Sequence, residues 1–147
     1  MDWIPHVIVA AIVEENQRFL LVEEESEAGV AVFNQPAGHW DEGETLVHAA
    51  IRETLEETAY YFQPENIIGV YHHTGANSRK TYLRICFSGK LCGHEPNRPL
   101  DKGILRALWM TRDEIAQNER LRSPMVLKCV DDYLDGHSYP LSLITQV

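Results

Sequence analysis

No stretch of the 147-residue chain approaches the run of about 20 apolar residues that a bilayer-spanning helix needs, so no membrane-spanning helix is expected in it. Cysteine is scarce. Cys86, Cys92 and Cys129 form an odd set without metal-ligand spacing, the pattern expected of reduced thiols in a cytoplasmic protein. No basic segment precedes the first apolar stretch, where the chain reads Met1-Asp2-Trp3-Ile4-Pro5-His6, so a secretory signal is not expected. Positive charge is also short. The net charge of −9 argues against a nucleic-acid polymer as partner. Internal repeats, low-complexity tracts and linkers are missing, and a single domain over residues 1–147 is expected.

The charge that is present is unevenly spread. Residues 1–65 hold 14 acidic and 2 basic side chains, while residues 66–147 hold 8 acidic and 11 basic. One half is suited to gathering cations and the other to meeting anions, although most of these charges also fit a solvated surface. Val7 to Val13 is a continuous β-branched and apolar run, expected to form a strand buried on both faces. Arg18 to Val22 follows a polar turn and reads as its hairpin partner. Val30 to Phe33 reads as a third strand, with Pro36 and Gly38 ending regular pairing. Two further strands are expected near 67–72 and 81–88, then a long loop from Cys92 to Asp101, and a strand from Ile104 to Met110. Thr111-Arg112-Asp113-Glu114 has the form of a capping box. Ser123-Pro124 opens a last helix that Gly136 ends.

The strongest helix spans Thr45, as N-cap, to about Ala59. Val47, Ile51 and Leu55 give it an apolar stripe expected to face the core. Glu53, Glu56 and Glu57 fall at i, i+3 and i+4 on the opposite face. Three carboxylates on one face repel one another unless a cation neutralises them, and a hard divalent ion such as Mg²⁺ takes such oxygen ligands. Arg52 can hold its carboxylate neighbours by bidentate pairing. Taken alone, such a triplet is more often a solvated acidic face.

The surroundings change that reading. Gly38, five residues, Glu44, seven residues, then Arg52-Glu53-x-x-Glu56-Glu57 resembles the Nudix box, G-x5-E-x7-R-E-U-x-E-E-x-G-U with U aliphatic. Thr54, Ala59 and Tyr60 depart from it, at an aliphatic position, the closing glycine and the final aliphatic position. An alanine at 59 must either accept a left-handed backbone or let the helix end differently. Outside the box, Asn34-Gln35-Pro36-Ala37-Gly38-His39, Tyr82-Leu83-Arg84, Trp109, Leu121-Arg122-Ser123-Pro124 and Tyr139-Pro140-Leu141 are similar to a bacterial phosphatase subgroup of the family.

The resemblance implies an α/β fold, the Nudix α/β/α sandwich with a mixed β-sheet between helices. It implies a hydrolase that cleaves phosphoanhydride bonds of small phosphorylated metabolites, with orthophosphate released from nucleoside tri- and diphosphates or hydroxymethylpyrimidine diphosphate. Glu53, Glu56, Glu57 and the Gly38 carbonyl would hold Mg²⁺, with Mn²⁺ as a possible substitute. Glu44 and Arg52 would order the site, and Glu53 is the first candidate for the base. Asp101 is a second candidate, because the family often draws an extra acid from this region. Arg84 lies mid-strand on the face opposite Leu83 and Ile85 and needs a partner, either a box glutamate or substrate. Arg122 lies at the edge of the last helix, suited to phosphate or to a salt bridge with Asp131 or Glu119. Gln35 and Asp101 join Arg84 and Arg122 as candidate substrate contacts. His72-His73 at a strand end and Trp109 read as structural, and Trp40 as exposed. No membrane partner is expected, and the chain is read as a monomer or homodimer. The alternatives are a nucleotide-sugar or ADP-ribose pyrophosphatase, and a nucleotide-sensing domain without turnover.

Overall fold

The computed structural model describes residues 2–147. Strand β1 (His6–Glu15) and β2 (Arg18–Glu25) form the expected hairpin, but they pair only at its tip, Glu14 with Phe19 and Glu15 with Arg18. Beyond that they diverge. β2 lies between β3 (Ala31–Asn34) and β7 (Ile104–Thr111), while β1 lies between β4 (Ala37–His39) and β6 (Thr81–His94). β6 runs parallel to β1 from His6–Tyr82 to Val13–Gly89 and antiparallel to β5 (Tyr60–Thr74), which makes the sheet mixed. β8 (Tyr139–Pro140) adds a short edge to β5.

Helix α1 (Leu46–Thr58) packs on one side of the sheet, against a core of Val9, Ala11, Val13, Ile85 and Phe87. α2 (Arg112–Ala116) and α3 (Met125–Leu134) cover the other side, over Ile8, Ala10, Ile12 and Cys86. Alternation along β1 and β6 divides these two cores, residue by residue. The outcome is the expected α/β/α layering. None of the described helices is long and apolar enough to cross a membrane.

Four expectations about local structure are corrected. Pairing does not end at Pro36, because Ala37–His39 pair again with β1. β5 begins at Tyr60, well before position 67, and carries Pro64 through register shifts at Tyr61/Phe62, Pro64/Asn66 and Ile67/Gly69. Gly89 makes that passage possible, since a Cβ there would lie 2.0 Å from the Gln63 carbonyl oxygen. The expected loop from Cys92 is strand as far as His94, whose ring stacks on Tyr60 at 4.1 Å. The last correction concerns α1. Its buried residues are Ala49, Ala50, Thr54, Glu57 and Thr58; of the expected stripe Val47 packs on the core, but Val47, Ile51 and Leu55 are all only half-buried. The two small alanines let the helix seat closely, with part of its acidic face turned inward.

The ends of the helices follow the sequence more closely. Thr45 Oγ1 accepts from the His48 N–H at 3.0 Å, and Thr111 with Glu114 forms the full capping box. Pro124 has helical dihedrals just before α3, and Gly136 turns left-handed after it. Ala59 takes the strained alternative, a left-handed C-cap at φ 63°, ψ 14°. That backbone costs an L-residue roughly 1–2 kcal/mol. Burial of its methyl group, about 0.8 kcal/mol, offsets part of the cost. The Thr58 hydroxyl donates to the Thr54 carbonyl and accepts from the Tyr60 N–H, which fixes the exit without a glycine.

Candidate active site

The acidic half of α1 lies against β4. Arg52 is the hub. Its Nε and Nη2 grip both carboxylate oxygens of Glu44, at 3.0 and 2.7 Å. Nη2 also donates to the His39 carbonyl at 3.0 Å, and Nη1 donates to Glu53 at 2.8 Å and reaches Glu56 at 3.4 Å. This bidentate grip holds the Glu44 carboxyl below the usual range and raises the guanidinium further. Glu44 in turn accepts from the Asp41 N–H at 2.9 Å, so the loop after β4 is tied to the helix.

Gly38 explains why glycine opens the box. A Cβ at that position would lie 2.1 Å from Cδ of Glu53, inside its carboxylate. Glu57 is 7% exposed, and one of its oxygens accepts from the Ala37 N–H at 2.9 Å. Burial pushes its pKa up to about 9 against the pull of that N–H. Burial also raises Glu53, and it raises Glu56 together with a hydrogen bond to the Asp101 side chain. Asp101 is exposed, and its backbone N–H donates to the Glu56 carbonyl at 3.0 Å. The fold therefore brings Gly38, Glu44, Arg52, Glu53, Glu56, Glu57 and Asp101 together.

This donor set fits a hard divalent cation: four carboxylates and a backbone carbonyl, all oxygen, and three of the carboxyls raised towards neutrality by burial and crowding. Among the described residues no three such side chains already converge as ligands. Arg52 and the Ala37 N–H hold their oxygens instead.

The raised Glu57 has a consequence for stability. Its folded pKa of about 9 lies above that of an unfolded glutamate, about 4.3. Between these values the folded state binds more protons, so stability falls as pH rises. The contribution is complete below the unfolded pKa and gone above the folded one. In calorimetry without divalent metal, Tm should decline between about pH 5 and about pH 9, and Glu57→Gln should flatten that decline. Equal slopes in the two proteins would contradict it.

The candidate substrate residues separate into two pairs. Asp101 and Arg122 are open to solvent. Arg122 pairs neither with Asp131 nor with Glu119 but with Glu24, at 3.0 Å, while Asp131 takes Arg112. Arg84 and Gln35 are buried on the α3 side, and Arg84 Nη1 donates to Gln35 Oε1. Arg84 has met neither a box glutamate nor another acid among the described residues. His72 and His73 sit in β5 opposite Leu83 and Tyr82. Trp109 packs on the α1-side core, and Trp40 is 46% exposed with its Nε1 donating to the Glu44 carbonyl.

Glu24 and Asn34 had not stood out as site residues. Asn34 links Glu24, at 3.3 Å, to Arg84, at 3.5 Å. The signal was there: Leu20, Val22 and Glu24 share one face of β2, and a carboxylate in step with two buried side chains requires partners.

The NUDIX domain family model matches residues 4–128. The chain is 41% identical over 140 residues to phosphatase NudJ of Escherichia coli K12, covering 95% of this chain and 90% of the relative. Shigella flexneri phosphatase NudJ matches to the same extent. Among solved structures, a NUDIX hydrolase from Nitrosomonas europaea superposes with a TM-score of 0.95 at 44% identity, covering 98% of each chain. The NUDIX domain of Shewanella oneidensis NrtR, solved with ADP ribose, shares the fold alone, with a TM-score of 0.73 at 15% identity over 90% of this chain and 88% of that one.

Proposed function

The chain belongs to the Nudix hydrolase family, a phosphohydrolase by that membership, and from this premise we propose that it is a Mg²⁺-dependent enzyme releasing orthophosphate from small di- and triphosphate metabolites. Nucleoside tri- and diphosphates and hydroxymethylpyrimidine diphosphate are the substrate class. The domain would occupy residues 1–147 and act in the cytoplasm as a monomer or homodimer. The observation that carries the reading is the seating of the acidic face of α1 on β4: Glu53 fills the place of a Gly38 Cβ, Glu57 accepts the Ala37 N–H, and Asp101 lies beside Glu56.

Glu53, Glu56, Glu57 and the Gly38 carbonyl would hold the cation. When bound, Mg²⁺ supplies charge neutralisation at the phosphoryl oxygens and lowers the pKa of an attacking water. Arg52 presents Glu53 and Glu56 along one edge and locks Glu44 with the other. Glu53, sheltered under Gly38, is suited to accept the water's proton, with Asp101 beside Glu56 as the alternative base. Arg122, half-exposed and shared with Glu24, retains N–H groups for phosphate. Arg84 and Gln35, expected as substrate contacts, are buried beneath that surface and hydrogen-bonded to each other, out of direct reach of a substrate.

A nucleoside triphosphate should yield diphosphate and orthophosphate first, then monophosphate, when followed by ³¹P NMR with Mg²⁺ present. Pyrophosphate as the main first product would instead favour a nucleotide-sugar or ADP-ribose type of pyrophosphatase. Tight nucleotide binding with no turnover would make it a sensor.

A further inference from the structure

We propose that Arg84 is a positioning residue for the glutamate site: from the α3 side of the sheet it clamps Asn34 and Gln35, the connector that presents Ala37 to Glu57 and Gly38 to Glu53. The proposal rests on the reading that the box glutamates bind a divalent cation.

Arg84 is only 4% exposed, and its fork is spent on uncharged carbonyls, Nη1 on Gln35 Oε1 and Nη2 on Asn34 Oδ1. Nε is buried without any partner. A guanidinium in that position is expensive, and an apolar residue of similar size would fill a strand position at lower cost. For stability alone it is therefore a poor choice. Its contacts show where it acts. Gln35 is completely buried, and its Nε2 donates to the Ala11 carbonyl at 3.3 Å and to Cys86 Sγ at 3.4 Å, so Gln35 is pinned across β1 and β6. The next residue is Pro36, which has no N–H to anchor the chain and is held only through its carbonyl, by the Ala11 N–H at 3.0 Å. Ala37 and Gly38 follow at once, and their tolerance is small, because Gly38 lies within a carbon's width of the Glu53 carboxylate. A shift of the connector moves the Ala37 N–H and the Gly38 carbonyl together. Asn34 extends the clamp outward, through Glu24 to Arg122 at the surface.

Mn²⁺ binding, read from the free-ion EPR signal, tests this without using turnover. Arg84→Met removes the fork and keeps an unbranched apolar stem. It should weaken Mn²⁺ binding at least about tenfold, which is about 1.4 kcal/mol. Val130→Ala, in the α3 core, should lower Tm while leaving Mn²⁺ affinity within about twofold. Should Arg84→Met fail to fold, Gln35→Met severs the same clamp with no charge involved and should weaken Mn²⁺ equally. Wild-type affinity in either clamp variant, or an equal loss in Val130→Ala, would overturn the positioning role. Mn²⁺ binding by the wild type that Glu56→Gln leaves unchanged would instead overturn the metal site itself, and the proposal with it.

Discussion

Glu56→Gln and Glu57→Gln should each lower kcat by at least about 10²-fold, the loss expected when a charged ligand leaves a site that stabilises a phosphoryl transition state by several kcal/mol. The fold should survive both changes. A glutamine at 57 can still accept the Ala37 N–H through its carbonyl oxygen, and it brings no charge into a place where burial disfavours one. Glu57→Gln should therefore melt no lower than wild type at about pH 8, despite its loss of activity. At position 56 the change removes one member of the Glu56–Asp101 pair, whose crowding is relieved when one charge is gone. Near wild-type turnover in both variants would mean that these carboxylates hold no cation that the reaction needs. A large fall in Tm alongside kcat would mean that they act through the fold.

Gly38→Ala should do comparable damage by a different route. The new Cβ would coincide with the Glu53 carboxylate, 2.1 Å from its Cδ. Glu53 ends a flexible side chain, so it can swing away at small cost to stability. In doing so it leaves Arg52 and the remaining glutamates. Displacement by an ångström or more at a reacting centre costs about 10²-fold in rate, and kcat should fall by about that much while Tm changes by only a few degrees. Full activity in the alanine variant would show that Glu53 works equally well in another position. Collapse of the fold would show that Gly38 serves packing first.

The contrast between these glutamates and Gly38 indicates how much of the site the sequence carried. Spacing alone put Glu53, Glu56 and Glu57 on one helical face, because 100° per residue leaves no other choice. The resemblance to the Nudix box marked Gly38. What neither could supply was the inclination of that face towards β4. The inclination depends on Ala49 and Ala50 letting the helix sit close to the sheet, a property of the neighbour as much as of the helix. For the same reason the stripe of Val47, Ile51 and Leu55 marks only the margin of the buried face: Val47 packs on the core, but all three stay half-buried. Strand lengths failed differently. Pro64 reads as a breaker in isolation, yet β5 passes through it on bulges that Gly89, from another strand, accommodates. The partner of Arg122 is 98 residues away, so no local pattern could have named Glu24. Ala59 was legible only as a dilemma, and Thr58 resolves it.

Central to this account is a glutamate site that cleaves phosphoanhydrides only with a divalent cation. Orthophosphate release from a nucleoside triphosphate, measured first with a chelator in excess and then after Mg²⁺ is restored, tests that most directly. The account predicts that release stops in chelator and returns with Mg²⁺. Undiminished release in chelator would contradict it.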